Sequence, residues 1–148
     1  MSAARTPGLI SVTAPVLNEE EIVEEFYTRV RNALAEYEWE LVLVNDGSTD
    51  STPQLLDELA ARDERVKVVH LARNFGYQPA VIAGLDHCRG DVVVTIDADL
   101  QDPPELIHEM LDRWREGSDV VYAVRRERLG EGRVKLLTAR WFSTLFTR

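Results

Sequence analysis

The sequence is poor in the side chains that form disulfides and soft-metal sites. Its 148 residues include one cysteine, Cys88, and three histidines. A single cysteine excludes an internal disulfide and is typical of a reducing compartment. His70, His87 and His108 match no metal-ligand spacing, so we interpret them as structural or solvated.

Long apolar runs are also missing. No stretch approaches the roughly 18 residues that a membrane-spanning helix requires. Residues 1–8 contain no apolar segment of the kind found in secretory signals. The length suits one domain with a sizeable core, and we expect that domain to be cytoplasmic.

Positive charge is scarce over most of the chain. Residues 1–124 hold 10 basic and 24 acidic side chains, a balance of −14. Residues 125–148 hold 7 basic and 2 acidic side chains, a balance of +5. An acidic surface repels nucleic-acid phosphates, so we expect no nucleic-acid partner. The basic segment at the end needs a separate explanation.

Short β-branched runs alternate with helical patterns along the chain. The predicted strands are nearly continuous apolar runs: Leu9–Ala14, Leu41–Asn45, Val66–Leu71, Asp91–Ile96 and Val120–Val124. The predicted helices between them lie near Glu20–Glu36, Pro53–Arg62, Gln78–His87 and Pro104–Arg115. This order predicts an α/β fold in which helices cover both faces of a mostly parallel sheet.

Residues with capping preferences stand at the predicted helix boundaries. Asn18 is placed to cap the first helix, and Thr52 followed by Pro53 suits the start of the second. Gly117 follows the last helix, where a left-handed residue is common.

Polar residues concentrate in the loops that follow the first four strands. Ligands of open α/β sheets lie outside the carboxyl ends of the strands, so these loops are the expected site. The four loops are residues 15–20, 45–52, 73–76 and 97–105.

The loop after the fourth strand is the most informative of these. Asp97 and Asp99 point the same way if strand geometry continues to Asp99, and a divalent cation would relieve their repulsion. Hard oxygen ligands suit Mg²⁺ or Mn²⁺, and Gln101 offers a third oxygen at the same spacing. The alternative is a polar turn in which Asp99 caps the following helix. The position after an apolar strand favours the metal interpretation.

Two further loop residues have both a functional and a structural interpretation. Asp46 suits a nucleoside acceptor for a base N–H or a ribose hydroxyl, but Asp-Gly is also common in turns. Arg73 suits a phosphate ligand or an ordinary surface arginine, and the sequence leaves both open.

Together these loops resemble family 2 glycosyltransferases, which have the Rossmann-like GT-A fold, and specifically the branch that loads sugars onto dolichol or undecaprenyl phosphate. The resemblance extends from about Ile10 to Phe146 and rests on residues 15–19, 46–52, 73–76 and 97–105. It implies nucleotide contacts from Pro15, Asn18, Glu19, Asp46, Arg73 and Gly76. It also implies metal and diphosphate binding by Asp97, Asp99 and Gln101, and a phosphate contact from Arg125.

The sequence departs from the family pattern in three ways. Asn45 stands where the family often has aspartate, and Tyr77 stands where a lysine often follows Asn-Phe-Gly. The tyrosine removes one expected phosphate contact. Family members also continue well beyond residue 148, so we expect the rest of the catalytic domain to be absent.

The resemblance implies an inverting, single-displacement transfer of a hexose from a nucleotide sugar to polyprenyl phosphate. The residues of these motifs look more like those of the bacterial undecaprenyl-phosphate enzymes, which favours a UDP-sugar over a GDP-sugar. Two alternatives stay open: a family 2 transferase with a soluble or polymeric acceptor, and a noncatalytic nucleotide-binding module.

We divide the chain into a tail (1–8), a nucleotide-sugar-binding domain (9–124) and a basic segment (125–148). The basic segment has an apolar stripe at helical spacing, which predicts an amphipathic helix. Such a helix suits an anionic membrane surface, on the inner face of the cell membrane, or packing against missing parts of the domain. The stripe also offers a surface for homo-oligomer formation. The predicted membrane or acceptor contacts are Arg128, Lys135, Trp141 and Phe142.

Overall fold

The computed structural model describes residues 4–124. Four strands alternate with four helices in this range. In chain order they are β1 (Leu9–Val16), α1 (Val23–Ala33), β2 (Glu38–Asn45), α2 (Thr52–Arg62), β3 (Val66–His70), α3 (Tyr77–His87), β4 (Val92–Thr95) and α4 (Leu106–Arg115).

The four strands form one parallel sheet in the order β3-β2-β1-β4. The central strands β1 and β2 pair along their whole length, from Leu9 beside Glu38 to Val16 beside Asn45. Seven of the eight residues of β2 are buried, and residues 41–44 within it form a continuous apolar run, as is common in a strand covered on both faces.

Helices cover both faces of the sheet. The larger core packs α1, α2 and α4 on one face, with Phe26, Leu56 and Ile107 all fully buried. The smaller core packs α3 on the other face, where Ala80 contacts Val42 and Val44. The predicted α/β arrangement is therefore confirmed.

The first helix begins later than the sequence predicts. Asn18 does not cap it, since α1 starts at Val23 and its N-cap position is Ile22. Asn18 adopts a left-handed backbone conformation, with φ of 52°, and its side-chain oxygen accepts the Thr49 N–H at 2.8 Å. This contact between two loops uses the Asn18 side-chain oxygen that a helix cap would require. Gly117, by contrast, has the expected positive φ of 112° after α4.

The predicted fifth strand is wrong for the part of the chain that the structure describes. Val120–Val124 forms no strand, and Val120, Tyr122 and Val124 are 81%, 74% and 70% exposed. A strand needs hydrogen bonds to a neighbour, and β-branched residues alone do not provide them. β4 is the edge of the described sheet, and a cavity of about 420 Å³ lies between it, α4 and residues 119–123.

Within residues 4–124, no helix combines the length and apolar character needed to cross a membrane. The predicted amphipathic helix lies outside the described residues, as do Arg125, Arg128, Lys135, Trp141 and Phe142.

Candidate active site

A cavity of about 330 Å³ opens at the carboxyl ends of the strands, where the topology predicts a ligand. Residues from the loops after β1, β2 and β3 and from the segment after β4 all contribute to its wall. They are Pro15, Val16, Leu17, Glu19, Asp46, Asn74, Gly76, Tyr77, Asp97, Ala98 and Asp99.

The loop after β1 is tied to the loop after β2 on one side of this cavity. The backbone N–H of Asn18 donates to Ser48 Oγ at 3.0 Å, and that of Glu19 donates to Thr52 Oγ1 at 2.9 Å. Thr52 itself is fully buried at the start of α2. These bonds hold the Glu19 backbone at the cavity wall.

Asp46 ties the loop after β2 to the loop after β3. The residue is only 4% exposed, and its carboxylate accepts the backbone N–H of Phe75 at 2.8 Å and of Gly76 at 3.1 Å. Gly47 permits this close approach, because it has φ of 74° and an added Cβ would lie 2.4 Å from the Asn74 nitrogen. Asp46 therefore builds part of the cavity as well as lining it.

Asp97 and Asp99 both line the cavity, but the strand geometry expected between them does not continue. β4 ends at Thr95, and the chain turns at Ala98 and Asp99. The turn is closed by Asp99 Oδ1, which accepts the Gln101 N–H at 3.0 Å. The alternative role of Asp99 as a helix cap is wrong, because α4 begins at Leu106 with Glu105 at its N-cap position.

The charge around this cavity is one-sided. No lysine, arginine or histidine of residues 4–124 belongs to its lining, whereas Glu19, Asp46, Asp97 and Asp99 all do. Burial raises the pKa of Glu19, and the negative charges of Asp99 and Asp50 raise it further. Among residues 4–124, the cavity lining therefore brings carboxylates together without a cationic side chain beside them.

This donor set is chemically compatible with a hard divalent cation. Mg²⁺ and related ions are bound through one or two carboxylates and complete their shell with water and substrate phosphate. In the described range, no three His, Cys, Asp or Glu side chains are grouped closely enough to hold a metal alone. Asp97 and Asp99 thus suit a cation that arrives with further oxygen ligands.

The family of the chain follows from comparison with known proteins. Residues 11–148 match the family described as Glycosyl transferase family 2. The chain belongs to glycosyl transferase family 2.

The curated relatives of this family 2 domain are longer than the chain. The bactoprenol glucosyl transferase of Shigella phage SfV is 46% identical over 141 residues, covering 94% of this chain and 46% of the relative. An undecaprenyl-phosphate 4-deoxy-4-formamido-L-arabinose transferase of Pseudomonas fluorescens is 46% identical over 122 residues, covering 80% and 36%. The chain thus spans less than half the length of these relatives.

Solved glycosyltransferases share the fold of this family 2 domain. A mannosyltransferase from Pyrobaculum calidifontis, in complex with GDP-Man and Mn²⁺, matches with a TM-score of 0.66 and 24% identity, covering 82% of this chain and 36% of that one. S. aureus TarS in complex with UDP-GlcNAc matches with a TM-score of 0.57 and 24% identity, covering 80% and 38%. At this identity the likeness shows the fold alone, and it confirms the GT-A fold.

Of the predicted site residues within residues 4–124, most line this cavity and three do not. Arg73 is exposed, and its guanidinium lies 4.0 Å from the centroid of the Phe75 ring. Asn18 binds the neighbouring loop, and Gln101 contributes its backbone N–H to the Asp99 turn. Their predicted nucleotide and metal contacts stay predictions.

Tyr77 is the site residue whose contact the sequence does not reveal. Its hydroxyl donates to Asp97 Oδ1 at 2.8 Å. Burial raises the pKa of Tyr77 to about 12, together with the hydrogen bond to Asp97 and the nearby carboxylates, so the phenol stays a donor at neutral pH. The two residues are 20 positions apart on different elements, and no spacing pattern in a single sequence connects them.

Proposed function

We propose that the cavity binds the nucleoside diphosphate part of a nucleotide sugar. We further propose that the whole protein transfers the hexose to polyprenyl phosphate. The observation that carries the proposal is the carboxylate-lined cavity at the carboxyl ends of the strands, which has no cationic side chain from residues 4–124 in its lining. Relatives that are 46% identical and named for bactoprenol and undecaprenyl phosphate support the acceptor class.

The nucleoside end of the donor is assigned to the side of the cavity formed by Pro15, Glu19 and Asp46. An ionised carboxylate offers about four lone-pair sites. Asp46 accepts two backbone N–H groups, so it retains capacity for a base N–H or a ribose hydroxyl. UDP is the preferred donor nucleotide in this proposal and GDP the alternative.

The diphosphate end is assigned to Asp97 and Asp99. When bound there, Mg²⁺ or Mn²⁺ would supply Lewis-acid stabilisation of the negative charge that develops on the leaving diphosphate. Asp99 takes part in the turn through Oδ1, and this bond holds its carboxylate at the cavity wall.

The acceptor needs little activation by the protein. A phosphate monoester has a second pKa of about 6, so its oxygen is largely ionised at neutral pH and can attack the anomeric carbon directly. The bond from that carbon to the diphosphate breaks as the bond to the acceptor oxygen forms. A single displacement of this kind inverts the anomeric configuration.

Calorimetric titration with UDP and GDP, each with and without Mn²⁺, tests the donor site. We expect UDP to bind in the presence of Mn²⁺ and to bind at least about 10-fold more weakly without it, because the cavity carboxylates repel the diphosphate. Equal affinity with and without the metal would count against the cation assignment.

Asp99→Asn sharpens this test, because asparagine keeps an Oδ1 acceptor for the Gln101 N–H but loses the charge and the second carboxylate oxygen. We expect Mn²⁺-dependent UDP affinity to fall by about 100-fold, while the thermal midpoint stays close to that of the wild type. Asp112→Asn, on the exposed side of α4, is the matched control. Unchanged affinity in Asp99→Asn would remove the metal role from this residue.

The membrane surface is proposed as a further partner, since residues 125–148 carry a balance of +5. Sedimentation with anionic vesicles tests this, with neutral vesicles as the control. Pelleting with neither kind would contradict peripheral binding on the inner membrane face by this segment.

A further inference from the structure

Tyr77 lies where two cavities of the described residues meet. It lines both the carboxylate cavity at the strand ends and the larger cavity beside β4 and α4. Tyr77 is 57% exposed, yet its hydroxyl donates to Asp97 Oδ1 at 2.8 Å. An exposed tyrosine that directs its hydroxyl at a half-buried carboxylate suggests a role beyond packing.

Hydrogen bonds hold the backbone just before Tyr77 in place. Tyr77 is the first residue of α3, and Gly76 precedes it with φ of 101°. The Gly76 N–H donates to both Asp46 Oδ2 at 3.1 Å and Asn74 Oδ1 at 3.0 Å, and the Phe75 N–H donates to Asp46 Oδ1. Through these bonds, Asp46 fixes the backbone position from which the Tyr77 side chain extends.

The hydrogen bond has a consequence for Asp97. This carboxylate follows the end of β4 and shares its cavity with Asp99 and Glu19, whose negative charges favour its rotation away from the cavity. A donor on Asp97 Oδ1 opposes that rotation and leaves the negative charge in place. A phenol does this with few rotatable bonds, so little side-chain entropy is lost when the contact forms.

We propose that Tyr77 is a positioning residue that orients the Asp97 carboxylate for the divalent cation, and that Asp46 sets its placement from the nucleoside side. The inference rests on the proposed function, because it assumes that Asp97 receives a cation. Ligating carboxylates in metalloproteins are commonly held by such outer hydrogen bonds, and removal of one lowers metal affinity by about 10- to 100-fold.

Mn²⁺ titration of the 148-residue chain, with UDP saturating and free Mn²⁺ followed by electron paramagnetic resonance, tests the proposal without an activity assay. We expect Tyr77→Phe to bind Mn²⁺ about 10-fold more weakly than the wild type. The matched control is Tyr122→Phe, which removes a hydroxyl from an exposed tyrosine that lines only the larger cavity. We expect the control to bind Mn²⁺ as the wild type does.

A double-mutant cycle separates positioning from a general loss of stability. With Asp97→Asn already present, Tyr77→Phe should change Mn²⁺ affinity by less than about 2-fold, because its partner carboxylate is gone. Titrations run well below the thermal midpoint of every variant report on folded protein only. Tyr77→Phe affinity equal to or tighter than that of the wild type would overturn the proposal, as would a full additional loss in the Asp97→Asn background.

The two proposals fail in different ways. If the wild type shows no Mn²⁺-dependent UDP binding, the proposed function falls and the role of Tyr77 falls with it. If the wild type binds, Asp99→Asn does not, and Tyr77→Phe matches the wild type, only the role of Tyr77 is lost.

Discussion

Buried or half-buried carboxylates occur at both ends of the sheet, and their partners differ between the two ends. At the amino ends of the strands, the Glu40 side chain is 4% exposed and accepts the Ser11 hydroxyl at 2.6 Å and the Arg89 N–H at 2.7 Å. Lys67 adds an ion pair. Burial alone would raise the pKa of Glu40, but these donors lower it to about 2.

The carboxyl ends of the strands show the opposite arrangement. Glu19 faces Asp99 and Asp50, and burial together with their charge raises its pKa. No basic side chain of residues 4–124 lines this cavity. Glu40, at the amino ends, thus has its cation among the described residues, whereas the lining of the cavity holds no basic side chain from residues 4–124.

The largest expected effect on stability comes from removing the Glu40 carboxylate at the amino ends of the strands. Glu40→Ala removes the acceptor for three groups and leaves Lys67 beside a buried gap. We expect the free energy of unfolding to fall by about 3 kcal/mol, at the lower end for a buried ion pair because Lys67 is partly exposed. Urea unfolding at pH 7 measures this.

The control for this experiment lies on the same strand. Glu38→Ala removes an exposed carboxylate at the start of β2 and should change the free energy of unfolding by at most about 0.5 kcal/mol. Equal effects of the two substitutions would show that the Glu40 contacts contribute nothing specific.

Acid should reduce the effect of Glu40→Ala. The pKa of Glu40 is about 2 in the folded protein against 4.5 for the free group. Its contribution is therefore complete above pH 4.5 and is lost as the pH falls towards 2. We expect the difference in unfolding free energy between wild type and Glu40→Ala to shrink by about 2 kcal/mol between pH 7 and pH 3. Urea unfolding at several pH values measures it, and a difference independent of pH would contradict the assignment.

Much of the fold and the position of the candidate site can be predicted from the sequence. The four described strands and their helices follow from apolar runs and helical periodicity, because burial of one contiguous core determines both. The position of the site follows from topology, since parallel strands bring their carboxyl ends to one edge. Asp46, Asp97 and Asp99 therefore line one cavity.

The misses share a physical cause, because local structure depends on whether residues far apart in the chain make contact. Val120–Val124 has the composition of a strand but lacks a hydrogen-bonded neighbour among the described residues. Asn18 has the composition of a cap but bonds to Thr49, 31 residues away. Local preference competes with such contacts and yields when they are stronger.

The contact of Tyr77 with Asp97 is hidden from the sequence for a related reason. By its resemblance to the family pattern, the sequence predicts only that tyrosine in place of lysine removes a phosphate contact. The structure shows a new contact instead, with the Asp97 carboxylate. The identity of a side chain indicates which bonds it can form, but only the fold determines which partner lies within reach.

The smallest expected effect concerns Glu19, at the carboxyl ends of the strands. Glu19→Gln removes the negative charge that faces Asp99 and Asp50 and leaves the Glu19 backbone contact to Thr52 intact. A carboxyl with a raised pKa favours its neutral form in the folded state, so at pH 7 its charge opposes folding. We expect the substitution to stabilise the protein without ligand by less than about 1 kcal/mol.

Added Mn²⁺ and UDP should reverse the sign of this difference. Bound Mn²⁺ should offset the repulsion between Glu19 and the carboxylates of Asp99 and Asp50 in the wild type, and the Glu19 charge should strengthen its binding. The wild type should then have the higher thermal midpoint. Glu21→Gln, an exposed neighbour in the same loop, should shift neither midpoint. Differential scanning fluorimetry with and without ligand measures all three proteins. A Glu19→Gln protein less stable than the wild type without ligand would mean that this carboxylate, like Glu40, already has a partner within the chain.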